Sequence, residues 1–161
     1  MFHKMTKIKE NEPLDKKDAA VLAALKDNAR LSTHQISRKL RIPVTTVHNR
    51  IKKLEREGII RSYTTVVDHK KLGRPLSAFI LITVDYKLLK EIKRTQYELA
   101  QQLLKNPCVE MSAMLTGASD IILRARFRDM DELNDFITIY LRNVEGIEKT
   151  QTAIVLNEAA P

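Results

Sequence analysis

A chain of 161 residues has room for one ordinary domain or two small ones, each with a modest core that leans on a neighbour, so self-association is expected. No apolar run reaches the length of a bilayer span, the first residues lack the apolar stretch of a signal peptide, and the lone Cys108 rules out a disulfide framework or a Cys-based metal site within one chain; a cytoplasmic protein with a half-buried structural thiol is expected. The net charge of +8 is concentrated: residues 1–70 carry 16 Lys and Arg against 8 Asp and Glu, whereas residues 71–161 carry 12 of each, which points to a polyanion-binding module joined to a neutral module with another task.

Residues 1–13 are polar, Lys-rich and without periodicity, and read as a disordered basic arm. Structure is predicted to begin at Leu14-Asp15: Asp15 caps a first helix, Asp18 takes its third position, and Leu14 packs on Ala19 as a hydrophobic staple. That helix runs to about Asp27 with Leu22 and Leu25 inward. Ser32-Thr33-His34-Gln35 is a capping box that starts a second helix burying Ile36 and Leu40. After Arg41-Ile42, Pro43 opens a third helix whose Val47, Ile51 and Leu54 fall at i, i+4 and i+7, and Gly58 stops it.

Three short helices over residues 14–58 with a tight turn between the last two are a helix-turn-helix, whose second member enters the major groove of double-stranded DNA. At about 100° per residue, Thr45, Asn49 and Arg56 point away from the buried stripe, flanked by Lys52, Lys53, His48 and Thr46. Short polar groups near the helix start read bases, and cations further on anchor phosphates. Ser32 and Thr33, at the start of the second helix, complete the DNA-facing set together with Arg50, which lies beside the buried stripe and also suits a structural role. Any solvated helix carries such residues; the joint presence of capping box, tight turn, Pro-opened helix and clustered charge is what favours DNA. His48 has no second His or Cys at ligand spacing, so no metal is expected.

Beyond Gly58, Ile59 to Asp68 is predicted as a strand, and residues 59–75 as strand and linker, with HKKLGRP (69–75) the domain boundary. Residues 76–161 then read as a strand at Leu76–Val84, a helix at about Ile92–Lys105, a strand at Val109–Thr116, a turn at Gly117–Asp120, a strand at Ile121–Arg128, a helix at Asp131–Asn143 and a strand within Ile147–Leu156. The β-α-β-β-α-β order is ferredoxin-like, making the whole chain α+β. Ile121, Leu123, Ala125 and Phe127 alternate with Ile122, Arg124, Arg126 and Arg128, which assigns the first set to the helix-packed core and the second to an open, polar or subunit-facing side with pairing to carboxylates such as Glu110.

Leu14-Asp15, Leu22, Leu25, Asn28-Ala29-Arg30, Thr46-Val47, Arg50-Ile51, Leu54-Glu55, Gly58-Ile59-Ile60, and then Thr116-Gly117 with Asp120, together make the chain resemble the Lrp/AsnC (feast/famine) transcriptional regulators over nearly its whole length. It departs at Arg41 and Pro43, where many members have Gly and Ser. The resemblance implies a regulator that dimerises and assembles further, to an octamer or similar, with basal transcription machinery as a further partner. It also implies an amino-acid effector held near Leu115, Thr116, Gly117, Ala118, Ser119 and Asp120, with the Asp120 carboxylate accepting from the ligand's ammonium group. Taken alone, the same tetrad is a hairpin turn. An effector-independent architectural DNA-binding protein is the alternative. No cofactor is expected, and an enzyme is disfavoured: there is no Gly-rich phosphate loop, no His/Cys cluster, and no nucleophile with a base.

Overall fold

The computed structural model describes residues 14–158, so the expected basic arm at 1–13 lies outside the described residues. Two compact units divide the chain between Val66 and Val67.

In the first unit, α1 (Lys16–Asp27) begins where the Asp15 carboxylate accepts from the Lys17 and Asp18 amides, both at 2.8 Å. These bonds, led by the one from Asp18, hold the Asp15 carboxyl below its ordinary range. Helix α2 (Thr33–Leu40) carries the anticipated capping box: the Gln35 amide donates to Ser32 Oγ and the Ser32 amide to Gln35 Oε1. The turn that follows passes through Arg41 at φ 55°, a left-handed position, and the Ser37 hydroxyl donates to the Ile42 carbonyl at 2.6 Å. Pro43 then caps α3 (Val44–Arg56) without a side-chain bond, and Gly58 at φ 71° lets the chain leave the helix.

Val21, Ala24, Leu25, Ile36, Val47 and Leu54 form the buried core of this unit, with Leu22, Leu40 and Ile51 half-buried around it. On α1 the buried line therefore runs Asp18, Val21, Leu25, with Leu22 beside it rather than at its centre. Leu14, expected as a staple, is exposed.

Residues 61–68 have no regular secondary structure and join no ladder, which corrects the strand expected at Ile59–Asp68. The β-rich composition is real; a strand also needs a neighbour's amides and carbonyls, and no described segment supplies them. Tyr63, Val66 and Val67 are consequently left exposed.

The second unit is a four-stranded antiparallel sheet in the order β2-β3-β1-β4, from β1 (Leu76–Val84), β2 (Val109–Met114), β3 (Ile121–Phe127) and β4 (Ile147–Ile154). The register sets Ile80 opposite Leu123 and Ile82 opposite Ile121, so one face is continuously apolar. Helices α5 (Gln96–Leu104) and α6 (Met130–Asp135) cover it with Leu99, Leu103 and Leu133; α6 runs on through a π turn (Phe136–Tyr140) and a 3-10 turn (Leu141–Asn143) that add Phe136 and Leu141. This is the ferredoxin-like β-α-β-β-α-β order.

The helix expected over about Ile92–Lys105 is present as α5, and a second helix that the sequence reading did not anticipate precedes it. This short α4 (Tyr86–Glu91) is capped by Asp85, the chain turns after it through Lys93 at φ 53°, and α5 starts from a Thr95/Glu98 capping box. Gly146, at φ 96°, passes so close to α4 that a Cβ there would stand 2.3 Å from Leu89 Cδ2.

Candidate nucleic-acid interface and effector turn

On α3 the buried Val47 and Leu54 fix which side faces out. Thr45, His48, Asn49, Lys52 and Arg56 are exposed along that outer side, and Thr46 is half-buried on its edge. Their spacing of three to four residues puts them in one stripe along the helix. Ser32 and Thr33 stand at the start of α2, where Ser32 Oγ already accepts from the Gln35 amide, so Ser32 keeps its hydroxyl proton and one lone pair to offer outward.

Arg50 and Lys53 behave differently. They share one flank, and both reach inward to Asp18 on α1: Arg50 Nη1 lies 3.1 Å from Asp18 Oδ1 and 2.6 Å from Asp15 Oδ2, and Lys53 Nζ lies 3.1 Å from Asp18 Oδ2. Arg50, which the sequence places in the DNA-facing set, lies beside the buried stripe, where a structural role is also expected. The engagement of Lys53 was not legible, because its partner lies 35 residues earlier on another helix.

In the second unit the sheet's open face carries Phe79, Leu81 and Ile122 beside an ion cluster. Glu110 lies 2.9 Å from Arg124 Nε, 3.0 Å from Arg126 Nε and 3.1 Å from His69 Nε2, and Glu158 lies 2.8 Å from Arg126 Nη2. The Arg124 contact is an ion pair without hydrogen-bond alignment. Pairing with Glu110 therefore holds for Arg124 and Arg126, while Arg128 turns to Glu132 at 3.4 Å. Cys108 is half-buried, its sulfur accepting from Arg74 at 3.4 Å.

The turn after β2 exposes Leu115, Thr116, Gly117 and Ala118, with Ser119 and Asp120 half-buried. Both Asp120 carboxylate oxygens accept bonds from within the chain, one from the Val84 amide and one from the Tyr86 hydroxyl, each at 2.8 Å. The Asp120 carbonyl accepts from the Gln96 side chain at 2.8 Å and from the Leu115 amide at 2.7 Å. The bond to Asp120 also raises the Tyr86 phenol's pKa above its usual value. Asp120 thus fastens the turn to the end of β1 and the starts of α4 and α5. Tyr86 and Gln96 escaped the sequence reading; the caps Asp85 and Thr95, each one residue before them, were the available signal.

A family model described as a winged helix-turn-helix DNA-binding domain matches residues 14–61, and one described as the Lrp/AsnC ligand binding domain matches residues 77–161. The chain belongs to the Lrp/AsnC family. An HTH-type transcriptional regulator of Pyrococcus horikoshii is 38% identical over 143 residues, covering 89% of this chain and 93% of the relative. Among solved structures, a Neisseria meningitidis transcriptional regulator in complex with L-Met is 27% identical with a TM-score of 0.80, covering 92% of this chain and 93% of that one. AsnC of E. coli is 25% identical with a TM-score of 0.79, covering 93% and 97%. This Lrp/AsnC protein is therefore a transcriptional regulator with a DNA-binding helix-turn-helix, of a family of regulators and not of enzymes. No helix among the described residues is long and apolar enough to cross a membrane.

Proposed function

We propose that this regulator recognises specific double-stranded DNA as a two-fold dimer, reading bases with Thr45, Thr46 and Asn49 and anchoring phosphates with His48, Lys52 and Arg56. The observation that carries it is the single exposed stripe of these side chains on α3, set by the burial of Val47 and Leu54 on the opposite side. Ser32 and Thr33 add contacts to the backbone at the start of α2.

Two unsatisfied surfaces support a dimer: segment 61–68, which has strand-like composition and joins no ladder, and the open sheet face with Phe79, Leu81 and Ile122. Dimers assembling further, to an octamer or similar, is part of the same reading, as are a cytoplasmic location and contact with the basal transcription machinery. The small effector is an amino acid or a related metabolite, taken near Leu115 to Ser119 at a contact between subunits; a 27% identical neighbour is named as an L-Met complex, which makes methionine the first ligand to test. Asp120, with both oxygens engaged, acts by shaping this turn, and a ligand ammonium group has to share or displace those bonds. The effector alters DNA binding only to the extent that it favours one assembly over another.

Selection of bound duplexes from a random pool, with and without amino acids including methionine, tests the reading. Inverted-repeat sites, with binding or oligomer size altered by an amino acid, are expected. Binding without sequence preference overturns it in favour of an architectural protein, and a monomer at micromolar concentration overturns the dimer. Calorimetry on the wild type and Asp120→Ala isolates the turn: methionine binding lost in the variant involves Asp120, and undiminished binding removes it from the site.

A further inference from the structure

Asp18 is the one acidic side chain among the described residues that is fully buried, and it is buried against the reading helix rather than in its own. Its two oxygens each take a cation of α3: Arg50 at 3.1 Å and Lys53 at 3.1 Å, whose side chains are only 28% and 22% exposed. Asp15 adds a second carboxylate to Arg50 at 2.6 Å. The flank of α3 beside the reading stripe therefore carries two cations opposed by two carboxylates, and its charge is neutralised before any DNA arrives. The neighbouring Lys52 and Arg56, by contrast, are exposed.

We propose that Asp18 is a positioning and specificity-determining residue: it holds Lys53 and Arg50 off the DNA, so that α3 meets phosphate with Lys52 and Arg56 while its shorter side chains meet the bases. The physical reason is a trade between two kinds of binding. Every additional cation on phosphate tightens all sequences alike, and so lowers the ratio of cognate to random affinity. A carboxylate that neutralises the flank withholds that sequence-blind contribution. It also ties α3 to α1 at two points three residues apart, which sets the rotation of α3 about its own axis and hence which side chains look outward.

Removing the charge has a defined consequence. In Asp18→Asn the side chain keeps its shape and one acceptor oxygen, Arg50 keeps Asp15, and Lys53 loses the carboxylate charge that draws it inward, which favours its turning to the phosphates. One extra phosphate contact steepens the plot of log K against log salt by about 0.9, equivalent to roughly 8-fold tighter binding to random duplex at 0.1 M salt. A role confined to stability moves neither quantity once the folded fraction is matched by circular dichroism.

The inference rests on the reading stripe proposed above, so the experiment measures both. Salt titrations on the selected duplex and a random duplex are run for wild type, Asp18→Asn, Lys53→Gln, Asp18→Asn/Lys53→Gln and Lys52→Gln. The expected slopes are steeper by about 0.9 for Asp18→Asn, at the wild-type value for Lys53→Gln and for the double variant, and shallower by about 0.9 for Lys52→Gln. A Lys53→Gln slope shallower by about 0.9 shows that Lys53 already holds phosphate and overturns the proposal, and it does so even if Asp18→Asn fails to fold. A folded Asp18→Asn with the wild-type slope overturns it as well. An unchanged slope in Lys52→Gln strikes instead at the reading stripe.

Discussion

Among the described residues, the unit up to Val66 buries six apolar side chains in its core, whereas the unit from Val67 buries seventeen. The first starts its helices and shapes its turn with bonds between near neighbours: the Asp15 cap, the Ser32/Gln35 box and the Ser37–Ile42 bond. The second depends on strands paired across long stretches of chain, such as Ile80 with Leu123 and Ile82 with Thr150. The small, locally organised unit leaves one side of α3 exposed, and the larger one, covered by helices on one side of its sheet, keeps an apolar strip on the other. The difference also follows charge, since the basic excess lies wholly in residues 1–70.

Core truncation tests the comparison with the largest expected effect. Phe127 is fully buried, with its ring 5.3 Å from that of Phe136. Phe127→Ala is expected to cost about 3–5 kcal/mol in urea denaturation, and Leu25→Ala, at the rim of the smaller core, about 2 kcal/mol. Equal losses would break the contrast between the larger core and the smaller one.

This contrast also explains what was readable from the sequence. Caps and stops act within four residues, so the ends of α1, α2 and α3 could be placed from Asp15, Ser32, Gln35 and Gly58. Alternation in β3 assigned Ile121, Leu123, Ala125 and Phe127 to the core correctly, because a period of two survives whatever the partner strand is. What failed depended on distant residues. Segment 61–68 has strand chemistry and no ladder partner, and the Asp18–Lys53 and Asp120–Tyr86 bonds join residues 35 and 34 positions apart. At the candidate site, the outward stripe of α3 followed from periodicity, while the fate of its flanking cations and of the Asp120 carboxylate did not.

Two glycines sharpen the comparison at intermediate size. Gly58→Ala, in the first unit, meets open space and carries only the strain of φ 71°, about 1–2 kcal/mol. Gly146→Ala, in the second, adds a methyl 2.3 Å from Leu89 Cδ2 to its own positive-φ strain, and about 1–3 kcal/mol more is expected from overpacking. Thermal melts that rank the two the other way would show that α4 yields easily.

The smallest effect is a gain. Arg41 occupies a left-handed position at φ 55° between α2 and α3. Arg41→Gly is expected to stabilise the first unit by about 0.5–1 kcal/mol, relief of strain being partly offset by the entropy of a freer unfolded chain. A loss of stability on denaturant unfolding would mean that the Arg41 side chain makes a contribution its backbone strain conceals.

The central claim is that the exposed stripe of α3 reads sequence, and Asn49 stands near its middle. The most direct measurement is the affinity of wild type and Asn49→Ala for the selected duplex and for a random duplex at one salt concentration. The account predicts a loss of about 1–3 kcal/mol on the selected duplex, with binding to random DNA unchanged. An equal loss on both duplexes would contradict it.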